Sequence, residues 1–204
     1  MPDTEVNSED VKKGDAKTDA LFSFLNKNEN ASGKLPPVED WHPENCGEMD
    51  LVIRANGEWR HEGTPIGRKK LVRLFSTVLR KDDDQYFLVT PVEKIAIQVE
   101  WQPFVIIDYE IVRQDGSDVY IFVDNCDNRM VLTELQQLAY SMFEQQELPI
   151  INVRRNLYAS FSRSCYYRLI EAAQMVEDKG QTKIVIHSNN IDFVLGMFKD
   201  DFEE

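Results

Sequence analysis

The sequence GRKKLVRLF at residues 67–75 returns 95 residues later as SRSCYYRLI at residues 162–170. The shift aligns two arginines of each segment. It also keeps apolar residues in register at the i, i+3, i+4 and i+7 positions that form one buried helix face. The spacing predicts helices over 67–80 and 163–178, each followed by a polar loop and a strand. The chain is therefore predicted to hold two copies of one structural unit.

Strand signals surround both predicted helices. Asn56-Gly57 stands between two strand-like runs and predicts a β-hairpin, because this dipeptide suits the tight turn between paired strands. Residues 81–85 (KDDDQ) predict a solvated loop, whereas residues 133–145 fit either a helix or a strand. One helix per unit beside short, mainly antiparallel strands predicts the α+β class. The predicted strands cover 49–54, 58–61, 86–90, 94–100, 104–112, 119–123, 150–153, 157–161, 183–187 and 191–196.

Composition divides the chain into four segments. Residues 1–33 are rich in polar and charged side chains and cannot bury enough apolar surface to fold, so they are predicted to be a mobile acidic tail. The short apolar run Leu21–Leu25 within this tail is either a segment without a role or a docking helix. The first repeat unit is predicted over 34–103 and the second over 104–198, with a second acidic tail at 199–204.

The net charge of −13 argues against binding of duplex nucleic acid by bulk charge. The charge is uneven, because residues 51–81 carry a net +6 and residues 152–170 a net +4. Both positive blocks coincide with the repeated segments, so a local site for a small anion fits the pattern. The cysteines are three and far apart, no long apolar run occurs, and the N-terminus lacks the features of a signal peptide. These features predict a cytoplasmic protein without membrane insertion.

Few residues stand in a pattern that is typical of catalysis. His61-Glu62 in a predicted turn could perform general acid–base chemistry, or its polar groups could satisfy the backbone of the turn. Glu93 and Lys94 similarly could belong to a site or form a plain exposed pair. The three histidines and three cysteines are too scattered for a zinc site, and no glycine-rich nucleotide fingerprint occurs. Neither a metal nor a cofactor is therefore predicted.

Arginines are the strongest candidates for ligand binding. Arg68 and Arg163 lie near the starts of equivalent helices, where free backbone N–H groups also favour anions, and Arg154 and Arg155 belong to the second positive block. Together with Arg73 and Arg168, each of these arginines could bind a ligand anion through paired hydrogen bonds, or could pair with carboxylates of this acidic chain. The large aromatic residues are predicted to fill the core or an interface, with a binding platform as the alternative: Trp59, Trp101, Tyr120, Tyr158, Tyr166 and Tyr167.

The sequence from about residue 40 to about residue 197 resembles the bacterial domain-of-unknown-function family 1285. Segments that carry the resemblance include 57–66 (GEWRHEGTPI), 88–94 (LVTPVEK) and 163–169 (RSCYYRL). The resemblance implies a duplicated core, a C-terminal half loosely like pleckstrin-homology folds, and strands over 133–145. It also implies a ligand pocket between the halves, for a nucleotide-like molecule, and a link to signalling. It implies no catalytic residue.

These observations lead to one hypothesis and two alternatives. The leading hypothesis is a non-enzymatic, cytoplasmic module that holds a small anionic ligand at a seam between the two units. The residues predicted to form this site are His61, Glu62, Thr64, Arg68, Thr90, Glu93, Arg154 and Arg155. The alternatives are a hydrolase-type enzyme that uses His61 and Glu62, and an adaptor that binds a protein partner through the acidic surface or Leu21–Leu25. An enzyme should bring a second titratable group within reach of His61, whereas an adaptor should expose an apolar patch.

Overall fold

The structure, a computed structural model, describes residues 35–199. The chain divides into two compact units. Unit 1 comprises the residues up to Val52 together with Trp59–Val99, and unit 2 comprises Ile53–Glu58 together with the residues from Glu100 onward. The predicted tail 1–33, its apolar run and residues 200–204 lie outside the described residues. No helix in the described range is long and apolar enough to cross a membrane.

Unit 1 contains one sheet and one α-helix among its described residues. A short 3-10 helix, Val38–Asp40, precedes the sheet, and α1 spans Lys69–Thr77. The strands are β1 (Asn45–Ile53), β2 (Trp59–His61), β3 (Thr64–Pro65), β4 (Leu79–Asp82), β5 (Gln85–Val89) and β6 (Lys94–Val99). They form a six-stranded sheet in the order β3-β2-β1-β6-β5-β4. Trp59 and Phe75 lie in its core, with parallel rings whose centroids are 6.2 Å apart.

Unit 2 contains two sheets joined by the second α-helix, α2 (Arg163–Ala172). Its strands are β7 (Phe104–Gln114), β8 (Ser117–Asp124), β9 (Arg129–Val131), β10 (Leu138–Phe143), β11 (Gln146–Arg154), β12 (Leu157–Phe161), β13 (Gln174–Asp178), β14 (Gln181–Ser188) and β15 (Ile191–Lys199). The first six form a sheet in the order β10-β11-β12-β7-β8-β9, and the last three form the sheet β13-β14-β15. In these two described sheets, β12 and β7 pair in parallel and all other neighbouring strands pair antiparallel. The described chain is thus a two-unit, sheet-rich protein with two α-helices.

Both predicted helices exist, but they are shorter than the apolar spacing indicates. The first was expected to reach residue 80 and the second residue 178, whereas they end at Thr77 and Ala172. The chain then enters β4 and β13, which pair with the strands that follow them. The last apolar residues of a helix can have the same spacing as the apolar residues of a short strand that follows it. Periodicity alone therefore could not locate the residue at which each helix ends.

The loop predicted at 81–85 is wrong for most of its length. Lys81 and Asp82 continue β4 and pair with Tyr86 and Gln85 across a tight turn. Asp83 adopts a φ of 51° in this turn, a left-handed conformation that aspartate tolerates better than most residues. The charged run KDDDQ is therefore a hairpin rather than an extended loop.

Two other expectations are confirmed. Gly57 has a φ of 84° in the turn that follows β1, and the Glu58 N–H donates to the Asn56 Oδ1 at 3.0 Å, as the Asn-Gly signal predicts. Residues 133–145 contain a single 3-10 turn, Leu135–Gln137, followed by β10, so this segment is mainly a strand.

The two helices bury different positions of the repeated sequence. In α1 the fully buried apolar side chain is Phe75, whose counterpart Ile170 in α2 is only partly buried. In α2 the fully buried side chains are Cys165 and Leu169, and the counterpart of Cys165 in α1 is the exposed Lys70. The predicted register of the apolar faces is therefore only approximate.

Candidate functional site

Thr90 and Glu93 lie together in the turn between β5 and β6. The Thr90 hydroxyl accepts the backbone N–H of Glu93 at 3.0 Å, and the Thr90 backbone N–H donates to the Glu93 carbonyl at 2.8 Å. Both residues are buried. The Lys94 ammonium lies 2.7 Å from the Asp82 carboxylate and 4.0 Å from the centroid of the Phe87 ring. A plain exposed Glu93–Lys94 pair is therefore wrong.

His61 and Thr64 are paired across the hairpin that joins β2 and β3. Glu62 begins the turn of this hairpin with a φ of 49°, and its backbone N–H donates to the Asp50 carbonyl at 2.9 Å. The side chains of His61 and Glu62 form no hydrogen bond or ion pair with any described residue. The described part of the chain thus gives the hydrolase alternative no second titratable partner.

Arg68 is the N-cap residue of α1. Its side chain is exposed, forms no capping hydrogen bond, and has no ion pair within residues 35–199. Within the described part of the chain, Arg68 therefore does not neutralise a neighbouring carboxylate. Its predicted contact with a ligand anion stays a prediction.

Arg154 lies at the end of β11 in a polar cluster of unit 2. Its guanidinium is 3.2 Å from the Asn128 Oδ1 and 4.9 Å from the centroid of the Phe104 ring. Burial lowers the pKa of Arg154 to about 10, against the opposing effect of the Asp124 carboxylate. Burial also raises the pKa of Asp124, although hydrogen bonds from Asn128 oppose this shift. The neighbouring Arg155 is exposed in the turn with a φ of 51°.

The eight predicted site residues divide between the units. The six from His61 to Glu93 belong to unit 1, and Arg154 and Arg155 belong to unit 2. Within unit 1 the structure brings Thr90 to Glu93 and His61 to Thr64. A site shared by both units stays a prediction.

A groove with a volume of about 600 Å³ lies within unit 2. Its walls come from Val105 of β7 and from four segments: the turn before Gly57, the chain just ahead of β7, the β10–β11 hairpin, and the junction of β12 with α2. Two of these segments precede residue 104 in the sequence, although they group with unit 2 in space. The aromatic residues that line the groove are Trp101, Phe143, Phe161, Tyr166 and Tyr167.

The aromatic walls of the groove are held in place by contacts with one another and with residues outside the groove. Trp101 stacks on Phe143 with ring centroids 4.5 Å apart, and its indole N–H donates to the Ser141 hydroxyl at 3.1 Å. The Tyr166 hydroxyl donates to the Leu195 carbonyl at 3.3 Å. Because their polar atoms are bonded elsewhere, these two rings present apolar surface to the groove.

Two charged side chains complete the lining of the groove. Arg163 is the first residue of α2, is exposed, and has no ion pair within the described residues. Ser162 caps this helix by accepting the Cys165 N–H at 3.4 Å. Glu144 lies in the turn of the β10–β11 hairpin. The groove therefore combines flat apolar walls with one cation and one carboxylate.

Sequence reasoning found part of this groove. The 95-residue repeat singles out Arg163 as a cation at a helix start, and the aromatic platform was weighed for Trp101, Tyr166 and Tyr167. It missed Phe143 and Glu144, because nothing local relates the β10–β11 hairpin to Trp101. Only the pairing of distant strands brings them to one surface.

Comparison with known proteins places the chain in a family. The model of the N-terminal domain of unknown function DUF1285 matches residues 36–102, and the model of the DUF1285 C-terminal domain matches residues 103–195. No curated protein matches the chain significantly.

Two solved structures are similar to this protein. A DUF1285 family protein from Silicibacter pomeroyi shares 32% identity with a TM-score of 0.69, over 84% of this chain and 93% of that one. A DUF1285 family protein from Shewanella baltica shares 28% identity with a TM-score of 0.50, over 62% of this chain and 94% of that one. Together with the two domain matches, these similarities show that the chain belongs to the DUF1285 family.

Proposed function

We propose that this protein is a non-enzymatic binding module that holds a small anionic, nucleotide-like molecule in the groove of unit 2. The observation that supports this most directly is the stacked pair Trp101–Phe143 in the same groove as Arg163. A flat ring can stack on the aromatic wall while its anionic group meets the guanidinium. No side chain of the catalytic type is needed for this role.

The size and lining of the groove fit a small molecule. Pockets for small ligands usually measure about 300 to about 1,000 Å³ and combine apolar walls with a few polar groups. At about 600 Å³ the groove lies in the middle of that range. Its five aromatic side chains and two charged side chains also match the usual composition.

Charge supports an anion as the ligand. The chain carries a net charge of −13, which opposes anions at most of its surface. Arg163 lies in a segment, residues 152–170, that holds four bases and no acid. Arg163 has no ion-pair partner among the described residues, so its guanidinium can form paired hydrogen bonds to a phosphate or carboxylate.

Calorimetric titration with adenosine monophosphate tests the proposal. We expect saturable binding that weakens about tenfold or more in Arg163→Gln, the scale of a charge-assisted hydrogen bond. Arg168→Gln is the matched control, because it changes the same charge on the same helix at a residue that pairs with Asp108 and does not line the groove. Absence of binding to the wild-type chain, or equal losses in both variants, would contradict the proposal.

We also propose that the two units arose by duplication. In each unit a helix is followed by three strands: α1 by β4, β5 and β6, and α2 by β13, β14 and β15. Superposition of residues 66–99 on 161–196 measures this relation. The likeness of the C-terminal half to pleckstrin-homology folds and the link to signalling stay predictions.

A further inference from the structure

The hairpin that forms one wall of the groove has an unusual turn. β10 and β11 are joined by Glu144 and Gln145 alone, with φ values of 47° and 73°. Four other two-residue turns in the described chain have both residues in this left-handed region, and each contains glycine or asparagine: Glu62–Gly63, Asp115–Gly116, Lys179–Gly180 and Asn189–Asn190. Among these turns, only Glu144–Gln145 has neither.

This choice of residues is unfavourable for the turn itself. A side chain with a Cβ clashes with its own backbone when φ is positive, and glycine, asparagine and aspartate escape most of that penalty. In the comparable turns the second residue is always glycine or asparagine, so Gln145 is the residue that departs from the pattern. The first position also takes Glu62 and Lys179, so a glutamate there is not unusual in itself. Residues kept in sparsely populated conformations often serve a binding site.

The position of Glu144 in the groove supplies a reason for keeping this strained turn. Glu144 lines the same groove as Arg163, and its carboxylate forms no hydrogen bond or ion pair with any described residue. A carboxylate only accepts hydrogen bonds. A ligand that fills the groove therefore meets an acceptor at Glu144 and donors at Arg163.

We infer that the ligand of this groove is a flat ring that carries an amino group as well as an anionic group, and that Glu144 accepts a hydrogen bond from the amino group. The inference rests on the proposed function, because it assigns a ligand class to the same groove. The ring stacks on Trp101, the anionic group binds Arg163, and Glu144 selects for the amino group. A site that hydrogen-bonds a ligand group discriminates strongly against analogues that lack the group.

Two pairs of nucleotides test this inference by calorimetry, since the members of each pair differ only in an amino group. The first pair is adenosine monophosphate and purine riboside monophosphate. The second pair is guanosine monophosphate and inosine monophosphate. We expect the amino-bearing member of at least one pair to bind about tenfold or more tightly, the scale of a hydrogen bond to a charged group.

Two variants separate ligand recognition from turn strain. Glu144→Met keeps a side chain of similar length at the strained position but removes the acceptor, and we expect it to abolish the preference. Gln145→Gly relaxes the turn and keeps the carboxylate, and we expect it to raise the melting temperature and leave the preference intact.

Each outcome distinguishes the inference from the proposed function. Equal binding within both pairs, or a preference that survives in Glu144→Met, would overturn the inference and leave the proposed function standing. Failure of all four nucleotides to bind the wild-type chain would overturn both.

Discussion

Units 1 and 2 each contain a helix followed by three strands, but these two segments have different surroundings. In unit 1 the strands β4, β5 and β6 are extended by β1 into a six-stranded sheet, whereas in unit 2 the strands β13, β14 and β15 form a separate sheet. β4 begins with two buried residues, whereas the first four residues of β13 are all exposed. The repeated sequence thus accounts for the order of elements, and the strands paired around each copy decide which residues are buried.

The largest expected effect of a single substitution lies in the helices. Phe75 in α1 is 1% exposed, and its counterpart Ile170 in α2 is partly exposed. We expect Phe75→Ala to lower the free energy of unfolding by about 4 kcal/mol and Ile170→Ala by about half as much. Leu169→Ala should likewise cost more than Leu74→Ala, because only Leu169 is fully buried. Denaturant titrations of the four variants measure these values. Equal losses of stability at equivalent positions would contradict the claim that the two helices bury different positions.

The next largest effect is expected where β4 and β13 begin. Arg80 is 7% exposed, and its guanidinium donates to the Val38 and Trp41 carbonyls at 2.7 and 2.8 Å and lies 2.9 Å from Asp82. Its counterpart Met175 is 71% exposed. We expect Arg80→Ala to cost about 3 kcal/mol, because buried acceptors lose their donor, and Met175→Ala less than about 0.5 kcal/mol. Hydrogen exchange in each unit reports the two losses, and a costly Met175→Ala would show that β13 is covered.

Acidification should change the stability contributed by Asp82 in unit 1 and by Asp124 in unit 2 in opposite directions. Burial raises the pKa of Asp82 in unit 1, but hydrogen bonds from Lys94 and Arg80 outweigh it, so the net pKa is lowered. The stabilisation from Asp82 is therefore present above its ordinary pKa and is lost as the pH falls through the lowered value. Burial raises the pKa of Asp124 in unit 2, so its stabilisation is present at low pH and is lost as the pH rises through the raised value.

Two variants measure these opposite slopes. Between about pH 7 and about pH 3, the stability of the wild-type chain relative to Asp82→Asn should fall, whereas its stability relative to Asp124→Asn should rise. Urea titrations across this range give both slopes. Slopes of the same sign would show that the pKa of one of the two carboxyl groups shifts in the opposite direction.

The smallest expected effect concerns the helix caps. Ser162 caps α2, whereas Arg68 occupies the same position of α1 without a capping hydrogen bond. We expect Ser162→Ala to lower the melting temperature, at a cost of about 1 kcal/mol, and Arg68→Ser to raise it by a similar or smaller amount. A loss of stability in Arg68→Ser would instead indicate that the Arg68 side chain contributes to folding.

The sequence predicts local features of this fold better than their extent. The Asn56-Gly57 turn and the capped start of α2 follow from short-range chemistry, so they could be located. The ends of the helices could not, because residues 79–82 and 174–178 leave the helix to pair with strands further along the chain. Pairing energy from another segment is invisible to a local pattern.

The groove also shows that a local sequence pattern cannot reveal contacts between distant segments. Arg163 could be singled out because its role depends on the start of its own helix and on the repeat. Phe143 could not, because its stacking with Trp101 depends on how β10 is placed in its sheet. From the sequence, the apolar side chain of Phe143 is equally consistent with a place in the core.

Tryptophan fluorescence during titration with adenosine monophosphate tests most directly the claim that ligand binds in unit 2. Trp101 lines the groove, whereas Trp59 is buried in the core of unit 1. We expect saturable quenching that persists in Trp59→Phe and disappears in Trp101→Phe, which keeps an aromatic ring at the site. Quenching that survives in Trp101→Phe, or no saturable change in the wild-type chain, would contradict that claim.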